Sequence, residues 1–302
     1  MVRDYLHLHF IVFLWGFTAI IGVLVTIPAV ELVFYRTLIA SGGILLILLV
    51  RKMKVMVSPE QLLRLLLTGF VISAHWILFF ASAKVATASI SLAGMATATF
   101  WTSLLEPLLT KRKIKGFEML LGLVVIGGLY LIYRFEFDHA LGLFMAVGSA
   151  FLAALFSVLN AKFVKTQNQY TIAFYEMVGA TLFTSLFFPV YMNTLSESGS
   201  LQLAPTTQDW WLILALAIVC TVYAFSASVE LMKRLTAFAV NLSINLEPVY
   251  GITLAFFLLN EEKMSVPFYI GALIIVMAVL SYPVHNYIRK KRALRKVMQD
   301  KY

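Results

Sequence analysis

The chain is 302 residues long, 61% hydrophobic and only 13% charged, with a mean hydropathy of +0.89. Water-soluble globular chains carry roughly 25% charged and about 45–50% apolar residues, so a soluble globule is excluded. With 16 Gly, 8 Pro and one cysteine, Cys220, so are collagen-like, disordered and disulfide-stapled chains.

A helix that crosses a bilayer takes about 20 apolar residues at about 1.5 Å each. Ten stretches of that kind follow one another, which predicts an all-α integral membrane protein with ten transmembrane helices. The first five run over Leu6–Ile27, Val30–Val50, Leu62–Ala83, Ala86–Leu109 and Phe117–Tyr133. The second five run over Leu141–Phe163, Tyr170–Tyr191, Trp210–Leu231, Ala237–Leu259 and Pro267–Ile288. The connections are short except Met192–Gln208, which is rich in Ser, Thr and Pro and reads as a surface loop. The first stretch exceeds the 7–15 apolar residues of a signal-peptide core and is expected to be retained.

The net charge of +9 raises nucleic acid as a partner, and the placement of the basic residues decides against it. With a cytoplasmic N-terminus, twenty of the 24 Lys and Arg fall on cytoplasmic segments or the tail; Arg36, Lys84, Arg134 and Lys263 are the exceptions. That asymmetry is the positive-inside signal, and it predicts both termini in the cytoplasm of a multi-pass plasma-membrane protein (the cytoplasmic membrane of a bacterium). The same basic residues attract anionic headgroups of the lipid bilayer; no nucleic acid is expected.

The chain also resembles itself. At an offset of 149, Lys84-Val85-Ala86-Thr87-Ala88 falls on Lys233-Arg234-Leu235-Thr236-Ala237, and Trp101, Leu105, Gly122 and Tyr133 fall on Tyr250, Leu254, Gly271 and Tyr282. At an offset of 140, Phe34-Tyr35-Arg36 meets Phe174-Tyr175-Glu176. The offset changes across Met192–Gln208, where an insertion belongs. The expected units are residues 1–137 and 138–302, the second carrying the basic tail, together one transport domain. Five helices is an odd number, so the second copy enters the membrane inverted, as in many secondary transporters whose substrate sits near the midplane between the halves.

Trp15-Gly16, five plus five helices, and the run Leu246-Glu247-Pro248 through Leu259-Asn260-Glu261-Glu262 to Gly271-Ala272-Leu273-Ile274 resemble the EamA-like branch of the drug/metabolite transporter superfamily. The resemblance spans essentially the whole chain and implies a carrier of small metabolites working by alternating access. Bacterial relatives commonly export amino acids or related polar compounds, and organellar relatives move sugar phosphates or nucleotide sugars. The first half departs from the pattern: Thr99 and Arg112 stand where Pro248 and Glu261 stand in the second.

Ionisable residues cost about 2.5–3.5 kcal/mol at the centre of an inserted helix, so those that persist face a cavity or a partner. His75 and Glu247 lie deepest in their predicted spans; Arg36 and Glu176 lie one to two turns in from opposite faces. Glu106, close to Lys111-Arg112-Lys113, is expected in a cytoplasmic-end ion pair. In the ninth span Asn241 and Asn245 share a face, as do Ser243, Glu247 and Tyr250. Pro248 removes a backbone donor and is expected to act as a helix hinge. His75 and Phe79 share a stripe with Trp76 beside it, and Trp15, Trp101 and Tyr223 are candidate aromatic walls. Trp15, Arg36, His75, Trp76, Phe79, Trp101, Glu176, Tyr223, Asn241, Asn245 and Glu247 are the expected substrate-binding or coupling set, with Glu247 able to bind and release a proton as the cavity opens to either side.

Other chemistry is thin. There is no Gly-rich phosphate loop, His-x-x-x-His pair or cysteine ligand set, so no metal, cofactor or catalytic group is expected. The competing class is an intramembrane lipid-processing enzyme. Both signs of charge with amides and aromatics suit a zwitterionic small-molecule substrate such as an amino acid, with export as the expected direction; sugar phosphates would call for clustered Lys and Arg.

Overall fold

The computed structural model describes residues 2–135, 139–196, 198–258 and 265–299. They are helical almost throughout: α1 (Val2–Gly16), α2 (Thr18–Leu24), α3 (Ala29–Val50), α4 (Pro59–Val85), α5 (Ala88–Met95), α6 (Ala98–Thr110) and α7 (Gly116–Phe135). There follow α8 (Ala140–Phe163), α9 (Gln169–Thr194), α10 (Thr207–Leu214), a π-helical segment (Ala215–Tyr223), α11 (Ala224–Leu231), α12 (Ala237–Ile244), α13 (Glu247–Leu258) and α14 (Val266–Gln299). Asn260, Glu261 and Glu262 of the family-like run lie outside the described residues, as does Lys301 of the tail.

Among the described residues, eight helical stretches are long and apolar enough to cross a membrane: Arg3–Leu24, Ala29–Val50, Pro59–Val85, Ala88–Thr110, Ala140–Phe163, Gln169–Thr194, Thr207–Leu231 and Tyr269–Arg289. The protein is therefore an all-α, multi-pass membrane protein. Of the two other predicted spans, one falls on α7, whose apolar stretch Gly116–Gly128 is shorter. The other is divided into α12 and α13 by Asn245 and Leu246.

The helix starts are written in the sequence. Ser58 and Thr206 build capping boxes with Gln61 and Asp209, and Pro59 opens α4 where a missing N–H costs nothing. Thr87 and Thr236 cap α5 and α12 through the backbone N–H of Ile90 and Ala239. These two short helices, Ala88–Met95 and Ala237–Ile244, begin and end at positions 149 apart, and each is followed by a break. The first break, at Ala96–Thr97, forms without the proline that the second half carries.

Reciprocal contacts tie the two halves together. The Tyr35 hydroxyl donates to the Leu203 carbonyl, while the Tyr175 hydroxyl donates to the Val55 carbonyl. Glu31 accepts from the Gln202 amide, while Thr171 donates to the Lys54 carbonyl. One end of the bundle gathers Arg234 with Asp4, Lys233 with Gln169, and Arg112 and Lys115 with Glu118. At the other end Lys84 Nζ donates to the Val25 carbonyl at 2.6 Å and Asp209 accepts from Thr26.

Candidate functional site

The helices flanking the two breaks meet at a cavity of about 80 Å³ inside the bundle, enough for a few waters. Met95, Ala98, Ile244 and Glu247, which flank the two breaks, line it directly, and the π-helical segment braces two of its wall residues. The π-helical turn is held by Thr221, whose hydroxyl donates to the Leu216 carbonyl five residues back. That hydroxyl accepts from Arg36 Nε at 2.9 Å. The neighbouring Cys220 carbonyl accepts from Trp15 Nε1 at 3.0 Å. A π-bulge thus anchors two walls of the cavity, a placement such bulges often take at functional sites.

Arg36 is 2% exposed, and its guanidinium lies 3.8 Å from the Trp76 ring centroid and 5.6 Å from that of Phe80. Stacking on aromatic faces lets a guanidinium stay buried without a carboxylate in contact. Glu247, at the first turn of α13, accepts from Thr18 Oγ1 at 3.3 Å. His75 is held by Ser149, whose hydroxyl and carbonyl both lie within hydrogen-bonding distance of Nδ1. Trp15, Arg36, His75, Trp76, Phe79, Asn241 and Glu247 all line the one cavity. Arg36 and Glu247 put a guanidinium and a carboxyl group on the wall of the same cavity.

Four other residues singled out from the sequence lie elsewhere. Glu176 is fully buried and reaches the cavity only through Asn160, whose Nδ2 donates to it at 3.3 Å. Asn245 donates to Thr99 Oγ1, joining the two helix breaks. Trp101 packs edge-on against Phe100 and Phe151. Tyr223 is 43% exposed and pairs with His7 outside the cavity. Both aromatics are turned by the helix faces they occupy, which span depth alone does not reveal. The Pro248 side chain lies outside the described residues; the helix is interrupted just before it. Glu106 accepts from Arg112 at 3.1 Å and from the Phe238 amide at 3.0 Å, so the expected ion pair also caps α12.

Sequence reasoning missed Thr18, Ser157 and Asn160, which also line the cavity. Ser157 donates to Asn241 Oδ1, and Asn241 Nδ2 donates to Thr102. Ser157 and Asn160 are three apart and share a face of α8, a spacing that would have exposed them. Among the described residues, no group of three or more His, Cys, Asp or Glu could hold a metal ion.

Comparison with known proteins gives the same architecture. The model of the EamA-like transporter family matches residues 5–134 and again 140–282. Two curated relatives, each named pseudopaline exporter CntI, come from Pseudomonas aeruginosa strains PAO1 and UCBPP-PA14. Each is 30% identical over 200 residues, 64% of this chain and 65% of the relative, so the match spans less than two thirds of their length. One solved crystal structure superposes with a TM-score of 0.69 over 92% of this chain and 96% of its own, at 17% identity, a likeness of fold.

Proposed function

The chain belongs to the EamA-like transporter family, and from that premise we propose that it exports small zwitterionic metabolites, amino acids or close relatives, by alternating access. The observation that carries this reading is the pairing of Arg36 and Glu247 in one cavity with the amides Asn160 and Asn241 and the ring of Trp76. A guanidinium receives a substrate carboxylate, a carboxylate receives an ammonium, and the amides fit the polar atoms between. Among the described residues Arg36 is the one Lys or Arg on the cavity wall, which disfavours a sugar phosphate or nucleotide sugar. Export as the direction is supported by the names of the two Pseudomonas relatives.

The transport architecture in this reading is ten crossings in two inverted halves, residues 1–137 and 138–302, with both termini cytoplasmic. Its support is the 149-residue spacing of α5 and α12, the reciprocal Tyr35–Leu203 and Tyr175–Val55 contacts, and the basic residues gathered at one end. Reciprocity of this kind is what a two-fold relation between the halves produces. Glu247 is the proton-coupling group of the reading, because it is a buried carboxylate beside the break between α12 and α13.

Counterflow tests the substrate class. Liposomes holding the purified full-length chain and an excess of one unlabelled amino acid should accumulate its labelled form, across a panel of amino acids. Exchange of sugar phosphates alone would overturn the zwitterion reading, and turnover of a labelled lipid without counterflow would favour an intramembrane enzyme.

A further inference from the structure

Behind the cavity wall, Glu176 of α9 and Asn160 of α8 face each other at 0% and 1% exposure. Asn160 Nδ2 donates to Glu176 Oε2 at 3.3 Å. Two fully buried oxygens remain without a hydrogen-bond partner, Glu176 Oε1 and Asn160 Oδ1. Both are acceptors, and an ionised Glu176 leaves both unanswered, since a carboxylate and an amide oxygen have no donor to offer each other.

No ion pair reaches Glu176 among the described residues. The charged and titratable groups on the helices packed against α9 are engaged elsewhere. On α3, Glu31 accepts from the Gln202 amide, and Arg36 donates to Thr221 while stacking on Trp76. On α4, Arg64 pairs with Glu60, His75 with Ser149, and Lys84 donates to the Val25 carbonyl. Lys162 of α8 donates to the Leu109 carbonyl, and Glu230 of α11 accepts from Gln169. Lipid and water are both kept away: a Cβ on Gly69 of α4 would lie 2.3 Å from the Glu176 carbonyl oxygen, so that helix presses directly on the α9 backbone there.

We propose that Glu176 and Asn160 form a proton-holding acid–amide pair, a second ionisable site distinct from Glu247. One proton on Glu176 Oε1 turns that oxygen into a donor to Asn160 Oδ1 and answers both orphaned atoms at once. The result is the doubly hydrogen-bonded arrangement of a carboxylic acid with a primary amide, and it carries no net charge into the bilayer. A hard metal ion takes six or so oxygen ligands, and the pair offers two.

Asn160 also lines the cavity, so it is the route by which the proton exchanges. Water admitted to the cavity competes for Asn160 Oδ1 and breaks the second hydrogen bond, and the proton then leaves. The pair therefore reports cavity opening. Only this last step rests on the transport reading; the protonation itself does not.

Infrared spectroscopy of the full chain in liposomes, stepped in pH and exchanged into D₂O, tests the proposal. In a Glu247→Gln background, which removes the other buried carboxyl of the cavity, a protonated-carboxyl C=O band is expected at neutral pH, lost when Glu176→Gln is added and shifted when Asn160→Leu, which removes the acceptor, is added instead. Thermal unfolding supplies the second arm. Glu176→Gln offers the same donor and acceptor as the protonated acid, so its midpoint should equal that of wild type, while Glu176→Ala should lower it. A band that survives Glu176→Gln in the Glu247→Gln background, or a Glu176→Gln protein as destabilised as Glu176→Ala, would overturn the proposal without touching the counterflow result.

Discussion

Replacing Arg36 with lysine separates a substrate-binding role from a structural one. The guanidinium uses Nε for Thr221, at 2.9 Å, and its face for Trp76, at 3.8 Å from the ring centroid. Its terminal nitrogens are left for the cavity that Arg36 lines. An ammonium keeps the positive charge and part of the attraction to the ring, but it cannot stack, reach Thr221 and present a two-pronged fork together. The loss is one charge-assisted hydrogen bond to a substrate carboxylate, about 1.5–3 kcal/mol. At about 1.4 kcal/mol per tenfold, that is a rise of roughly 10-fold to 150-fold in the substrate concentration that half-saturates counterflow. The measurement is counterflow against substrate concentration for wild type and Arg36→Lys, with thermal unfolding run alongside. Unchanged half-saturation in a well-folded Arg36→Lys protein would refute the reasoning and leave Arg36 as a clasp between α3, Thr221 and Trp76. The burial of this side chain already separates it from a surface arginine that snorkels to the headgroups.

Glu247→Gln should retain exchange of substrate for substrate in liposomes and lose acceleration by an imposed pH gradient; an undiminished response to the gradient would remove Glu247 as the coupling group. Gly179→Ala sets a Cβ 2.5 Å from the Leu66 carbonyl oxygen, against backbone that cannot step aside, and should cost about 1–3 kcal/mol of stability, read as a lowered unfolding midpoint in detergent. Cysteines placed at Ser198 and Lys301 in a Cys220→Ser background should label from outside and inside respectively; labelling of both from one side would break the inverted arrangement.

The helical, membrane-spanning character was legible because lipid leaves the sequence few options: backbone polar groups must bond within the helix and side chains must be apolar. Arg36, His75 and Glu247 were legible for the converse reason, since charge persists there only against a cavity or partner. What escaped was small and polar. Thr18, Ser157 and Asn160 are cheap in any helix and announce nothing alone, yet they bond to Glu247, Asn241 and Glu176. The outward turn of Tyr223 escaped because it ends the π-helical segment Ala215–Tyr223, whose wider turns shift the face that a regular period assigns.

The two helix breaks show how one backbone feature can be reached by unlike chemistry. In the second half, Pro248 lacks the N–H that a continuous helix would need one turn back. In the first half no proline stands there; Thr99 accepts from Asn245 instead, so each break is fastened to the other. Backbone groups freed at the first break are taken up by tight turns, Ala96 N–H to the Ala93 carbonyl and Thr97 N–H to the Gly94 carbonyl, and the Thr97 hydroxyl adds a bond to Gly94. At the second, the Asn245 N–H bonds to both the Asn241 and Leu242 carbonyls. These are short-range bonds that survive a change of angle between the flanking helices, whereas an intact i→i−4 ladder would not. A pair of breaks joined through Asn245 and Thr99, with Glu106 of α6 capping α12 at the basic end, therefore makes bending of one broken helix a load on the other. Coupled hinges of this kind are what a cavity that opens to alternate sides requires.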